Sequence, residues 1–163
     1  MCRLANKAKV GFSVDYHNLV KDKNYEQHLG GLSFKLDYKI IAHSDGDIII
    51  HTLSEAVLGA LGLGDLGDWF SDTDSHNKGR NSMEMLDFCI NKCNEANYII
   101  ANADVTLVSD VIFLKENKQK ISEFLSKYLN TQVNLKATRF EDNCETKIKC
   151  YCSCLLINKN DIH

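Results

Sequence analysis

The chain has 163 residues, 44% of them hydrophobic and 25% charged, with a formal net charge of −3. That is the size and balance of one soluble globular domain, here spanning residues 1–163, able to bury a core without staples. The lack of a basic surplus argues against nucleic acid as the main partner while allowing a small phosphorylated ligand in a single positive pocket.

The first element is "KVGFSVDYH", 9–17, whose apolar and polar residues alternate as in a strand. Residues 18–44 are polar at first and then suggest short strands about Gly30 and Gly31, a hairpin. A helix is expected over "DIIIHTLSEAVLGAL", 47–61, with Asp45 or Asp47 as its cap and Gly62 or Gly64 at its end. The stretch "GDWFSDTDSHNKGRN", 67–81, has no period and reads as a polar loop. Asn81 and Glu84 then resemble a capping box for the helix "SMEMLDFCINKCNEAN". "YIIANADVTLVS" is a strand, "KENKQKISEFLSKYLN" a third helix, and "VNLKATRF" and "KCYCSCLLIN" are the closing strands. The order β-α-α-β-α-β-β indicates an α/β (α+β) sandwich: a mixed β-sheet with helices packed on one face.

None of the seven cysteines forms a C-x-x-C pair, so the common zinc and redox spacings are absent. Cys89 and Cys93 share a helix face, and Cys150, Cys152 and Cys154 share a strand face; they read as small hydrophobes in a reducing compartment. With no signal peptide and no membrane-length apolar run, the expected location is cytoplasmic (bacterial cytosol or a plastid-type compartment), without a membrane partner.

The chemistry concentrates in two places. Asp15 and His17, at i and i+2 on a strand, point to the same face. His51, in the first turns of the following helix, supplies a third group, and two imidazoles with one carboxylate suit a catalytic zinc whose fourth position stays open. Taken singly, each is more often an ordinary surface or core residue. His28, His76 and His163 read as solvated.

Together with "HSDGDIIIH", 43–51, these residues resemble the 2-C-methyl-D-erythritol 2,4-cyclodiphosphate synthase family of the non-mevalonate isoprenoid pathway. The family's early Asp-x-His is matched by Asp15 and His17. Its "LGD-(I/L)-G-x-x-F-x-D-T-D" is matched by "LGDLGDWFSDTD", 63–74, and its "K-A-T-x-x-E" by Lys136, Ala137, Thr138 and Glu141. The resemblance implies intramolecular phosphoryl transfer on a cytidine-diphosphate substrate, releasing CMP, in a homotrimer with active sites between subunits. It implies Zn²⁺ at Asp15, His17 and His51, and Mg²⁺ or Mn²⁺ at Glu141, bridging substrate phosphates. His43 and Ser44 would contact the methylerythritol phosphate end, Asp65, Leu66 and Gly67 the ribose, and Phe70, Asp72 and Asp74 the erythritol part, with Thr138 near the phosphates. The length implies a monofunctional chain without a fused cytidylyltransferase. A non-catalytic metal- and phosphate-binding trimer and a zinc-dependent phosphohydrolase are the two alternatives.

The chain departs from the family's pattern in three places. Arg139 stands where a second threonine is usual, one residue after Thr138, and its charged fork suits phosphate oxygens, which makes it a catalytic candidate beside His43. "DNCETKIK" after Glu141 is shorter than the family's loop and lacks its glycines. That loop bears on phosphate contacts and on the isoprenoid-diphosphate pocket some members carry on the trimer axis. The family's cytosine-binding loop usually contains proline and lysine, and here it reads "SDVIFLK", 109–115.

Overall fold

A computed structural model of the protein describes residues 7–71, 79–115 and 117–162. In chain order the elements are β1 (Ala8–Leu29), β2 (Leu32–Ile41), α1 (Ile48–Leu61), α2 (Leu66–Trp69), α3 (Ser82–Glu95), β3 (Tyr98–Val108), α4 (Asn117–Leu129), β4 (Gln132–Thr138) and β5 (Lys147–Asn158). The strands form one mixed sheet in the order β2-β1-β5-β3-β4, parallel only between β3 and β4. That pair is joined through α4, the crossover a parallel connection requires.

Period-2 patterning puts the buried rows on one face. Ile148, Cys150, Cys152, Cys154 and Leu156 of β5 are buried, as are Val133 and Leu135 of β4. In β3 the buried positions shift from Tyr98 and Ile100 to Ala103, Val105 and Leu107. A register shift between Ile100 and Asn102 accounts for this, since one extra residue turns the rest of the strand over. The buried residues of α1, α3 and α4 join the same core, so the helices cover one face as expected.

The paired strands at Gly30–Gly31 form the expected hairpin, with Leu29 opposite Leu32 and both glycines at positive φ. The strand leading into it is longer than expected. β1 continues through the polar stretch Lys21–Asn24 because β2 pairs with it on both sides of a bulge there. Gly11 marks a close approach: a Cβ would collide with the backbone of Ala56 in α1. The expected loop 67–81 also begins with structure, the short helix α2, capped by reciprocal hydrogen bonds between Asp65 and Asp68. Asn81 caps α3 as expected, whereas Glu84 pairs with Arg80 at 3.2 Å. No helix among the described residues is long and apolar enough to cross a membrane.

Candidate active site

The HSDGD stretch is a joint between three elements. Asp47, 1% exposed, caps α1 by accepting from Ile50 N at 3.1 Å. The same carboxylate accepts from Gly30 N at 2.8 Å and Gly31 N at 2.7 Å, tying the hairpin turn to the helix start. Burial pushes this carboxyl up to about 6, against the downward pull of the three N–H donors. Asp45 ties the same stretch to the start of α3, accepting from Ser82 N at 2.9 Å and from the Ser82 hydroxyl. Both aspartates are therefore spent on fixing geometry, and the metal-binding chemistry lies with their neighbours.

That joint sets His51 one turn into α1, facing β1. On β1 the alternation turns Ser13, Asp15 and His17 toward the helix, and the Ser13 hydroxyl donates to the carbonyl of Thr52. His17 Nε2 lies 3.1 Å from Asp15 Oδ2, and His51 Nδ1 lies 4.0 Å from the same oxygen. One ligand atom from each of the three residues falls within 4.8 Å of the others. Ligands about 2.0–2.1 Å from a tetrahedral zinc are separated by roughly 3.3 Å, so the donor set and its spacing fit.

The surroundings orient each ligand. Asp15 Oδ1 accepts from Tyr16 N at 2.8 Å, leaving Oδ2 to face the imidazoles. His51 Nε2 is 3.0 Å from Ser44 Oγ, which leaves Nδ1 for the centre. Burial alone would lower the pKa of His17, but the hydrogen bond and charge of Asp15, with a backbone hydrogen bond at Ile41, raise it above the ordinary value.

A cavity of about 200 Å³ opens on this cluster. Its lining brings together eight of the expected residues: Asp15, His17, His43, Ser44, His51, Leu66, Gly67 and Phe70. Asp65 is exposed at the cap of α2, next to Leu66. Thr138 and Arg139 instead line a second cavity of about 460 Å³ with Ser109, Ile112, Phe113 and Leu114. The Arg139 guanidinium lies 4.8 Å over the Phe113 ring. Glu141 is exposed in the turn after β4, at φ 70°, and lines neither cavity. Asp72, Asp74, His76 and His163 lie outside the described residues.

Three residues were missed in the sequence. Glu55 lines the first cavity, one turn after His51 on the same face of α1, and that i, i+4 spacing is the one signal that could have found it. Its pKa is raised by burial, then by the charge of Asp15. Asp110 accepts from Phe140 N at 3.0 Å and Cys144 N at 2.6 Å, fixing the turn that carries Glu141. Phe113 lies in the loop 109–115 that the resemblance linked to the base, but nothing in the sequence singled it out within that loop.

A family model described as the YgbB family matches residues 8–157. The 2-C-methyl-D-erythritol 2,4-cyclodiphosphate synthase of Aquifex aeolicus is 36% identical over 153 residues, 91% of this chain and 97% of that protein. The synthase of the same name from Shewanella woodyi is 38% identical over 136 residues, 82% of this chain and 84% of its own. Among solved structures, a 2C-methyl-D-erythritol-2,4-cyclodiphosphate synthase in a CDP-bound form superposes with a TM-score of 0.83 at 26% identity, covering 91% of this chain and 99% of that one. The CDP complex of IspF from Plasmodium falciparum gives 0.81 at 29% identity, covering 95% and 99%.

Proposed function

Because the chain belongs to the YgbB family, we propose that it converts 4-diphosphocytidyl-2-C-methyl-D-erythritol 2-phosphate into 2-C-methyl-D-erythritol 2,4-cyclodiphosphate and CMP, a lyase step of isoprenoid precursor biosynthesis. An oxygen of the 2-phosphate bonds to the β-phosphorus. The bond from that phosphorus to the bridging oxygen breaks, and the oxygen leaves with its electron pair on CMP. The attacking phosphate is already an anion, so no side chain has to remove a proton. The protein must fold a flexible polyanion into a ring-closing geometry and offset its charge.

The observation that carries this reading is the convergence of Asp15, His17 and His51 on one cavity beside His43 and Ser44. Zn²⁺ at these three residues, with Mg²⁺ or Mn²⁺ at Glu141, would supply Lewis-acid neutralisation of the substrate phosphates. His43 and Ser44 hold the 2-phosphate end, with Ser44 also orienting His51. Leu66 and Gly67, with Asp65, take the ribose, and Phe70, Asp72 and Asp74 the erythritol chain. Thr138 donates its hydroxyl to a phosphate oxygen, and the loop 109–115 receives the base.

Two observations support a site shared between subunits. Among the described residues, the metal-cluster cavity and the cavity holding Thr138 and Arg139 have no lining residue in common. The face of β1 away from the helices carries Val10, Phe12, Val14 and Tyr16, with Val10 74%, Phe12 66% and Tyr16 69% exposed. Burying such a row against copies of itself supports a homotrimer in which one subunit's cluster meets its neighbour's nucleotide cavity. Residues 1–163 act as one cyclodiphosphate synthase-like domain, working in the cytoplasm without nucleic acid or membrane.

The test is direct: metal-replete protein incubated with the cytidyl substrate should release CMP and cyclic diphosphate in equal amounts. Phosphate release with a linear product would mean a phosphohydrolase, and binding without turnover a non-catalytic trimer.

A further inference from the structure

Phe113, with Ile112 and Lys115, lies on the boundary between two cavities. It is 47% exposed and lines both the second cavity and a neighbouring one of about 350 Å³ that also holds Lys35 and Tyr38. Arg139 lines only the former, and its guanidinium lies over the ring at 4.8 Å. It therefore sits on the side of the ring that faces the second cavity. Among the described residues no carboxylate forms an ion pair with Arg139.

A guanidinium is planar and weakly hydrated. Backed by an aromatic ring it is held flat, its second face is open for stacking, and its N–H edges stay free for acceptors. Planar heterocycles stack on aromatic rings and on guanidinium planes alike. A lysine at this place would bring the charge without the plane.

We propose that Phe113 and Arg139 form one base-reading platform, in which the aromatic ring holds the guanidinium flat and the pyrimidine ring of the cytidine nucleotide stacks on its cavity-facing side. This rests on the function proposed above and deepens it, assigning Arg139 to recognition of the base. Phe113 is a positioning residue acting through Arg139. The edge of the same guanidinium remains available to the diphosphate.

The test compares the wild type with Phe113→Leu, Phe113→Tyr, Arg139→Lys and the Leu/Lys double variant, using CDP and inorganic diphosphate as probes in calorimetry and the full substrate in turnover. Phe113→Leu and Arg139→Lys should each weaken CDP about tenfold, roughly the loss of one stacked base. The double variant should be little worse than either single one, because both remove the same platform. Phe113→Tyr should retain affinity, diphosphate should bind the Leu variant as it binds the wild type, and the loss in turnover should fall on KM more than on kcat. CDP affinity unchanged in Phe113→Leu, or multiplicative losses in the double variant, would overturn the platform while leaving the proposed reaction standing. A wild type that neither binds CDP nor releases CMP would overturn both.

Discussion

Asp47→Asn is the substitution that tests how the centre is mounted. The side chain is isosteric, but a carboxylate with two accepting oxygens becomes an amide with one. Oδ1 accepts from Gly30 N and Ile50 N, and Oδ2 from Gly31 N. An amide oxygen at the Oδ1 position keeps the first two hydrogen bonds without their charge. The amide nitrogen then faces the Gly31 N–H, donor against donor. Losing one hydrogen bond to a charged group in a buried joint costs about 2–3 kcal/mol. The neutral amide recovers part of this at pH 7, because burial penalises the ionised carboxylate, so for a chain of this size the fall in Tm is at most roughly 5–10 °C. Because Asp47 is pushed up to about 6, thermal unfolding should be followed at pH 7, where the carboxylate is ionised. The Asn variant should also lose zinc affinity, since the same cap sets the turn that carries His51. Wild-type Tm and zinc content in Asp47→Asn would refute the idea that this carboxylate mounts the site.

Elemental analysis of purified protein should find about one zinc per chain, and His51→Ala should remove most of it. His17 is raised above 6.5, so in metal-free protein its stabilising contribution is complete below pH 6.5 and is lost as pH rises through the raised value. Zinc needs the neutral ring, so its affinity should climb over that same window, and replacing His17 by Gln should flatten the stability slope in pH-dependent melts. Light scattering should report a trimer, and Phe12→Lys, which places a charge in the exposed apolar row of β1, should shift it toward monomer. A monomeric wild type that turns over substrate would contradict sites shared between subunits.

The parts of this molecule that could be read from the sequence are those fixed by local chemistry. Strand alternation paired Asp15 with His17, a cap at Asp47 and a left-handed end at Gly62 bounded α1, and two glycines marked the hairpin. The rest depended on partners distant in sequence. Lys21–Asn24 is polar on every side and becomes strand only because β2 lies beside it. The helix α2 is a single turn held by Asp65 and Asp68 in a stretch without period. Glu55 was hidden because a lone glutamate on an apolar helix looks like solvated surface until a cavity opens beside it. Phe113 and Arg139 are 26 residues apart by number, and their contact follows from the parallel pairing of β3 with β4, whose ends both feed the second cavity.

Ring closure by transfer within one substrate can be followed by phosphorus NMR of a single turnover. The phosphomonoester signal of the 2-phosphate should disappear in step with the appearance of CMP and two coupled cyclic diphosphate signals, with no inorganic phosphate formed. Inorganic phosphate, or a linear product beside CMP, would contradict it.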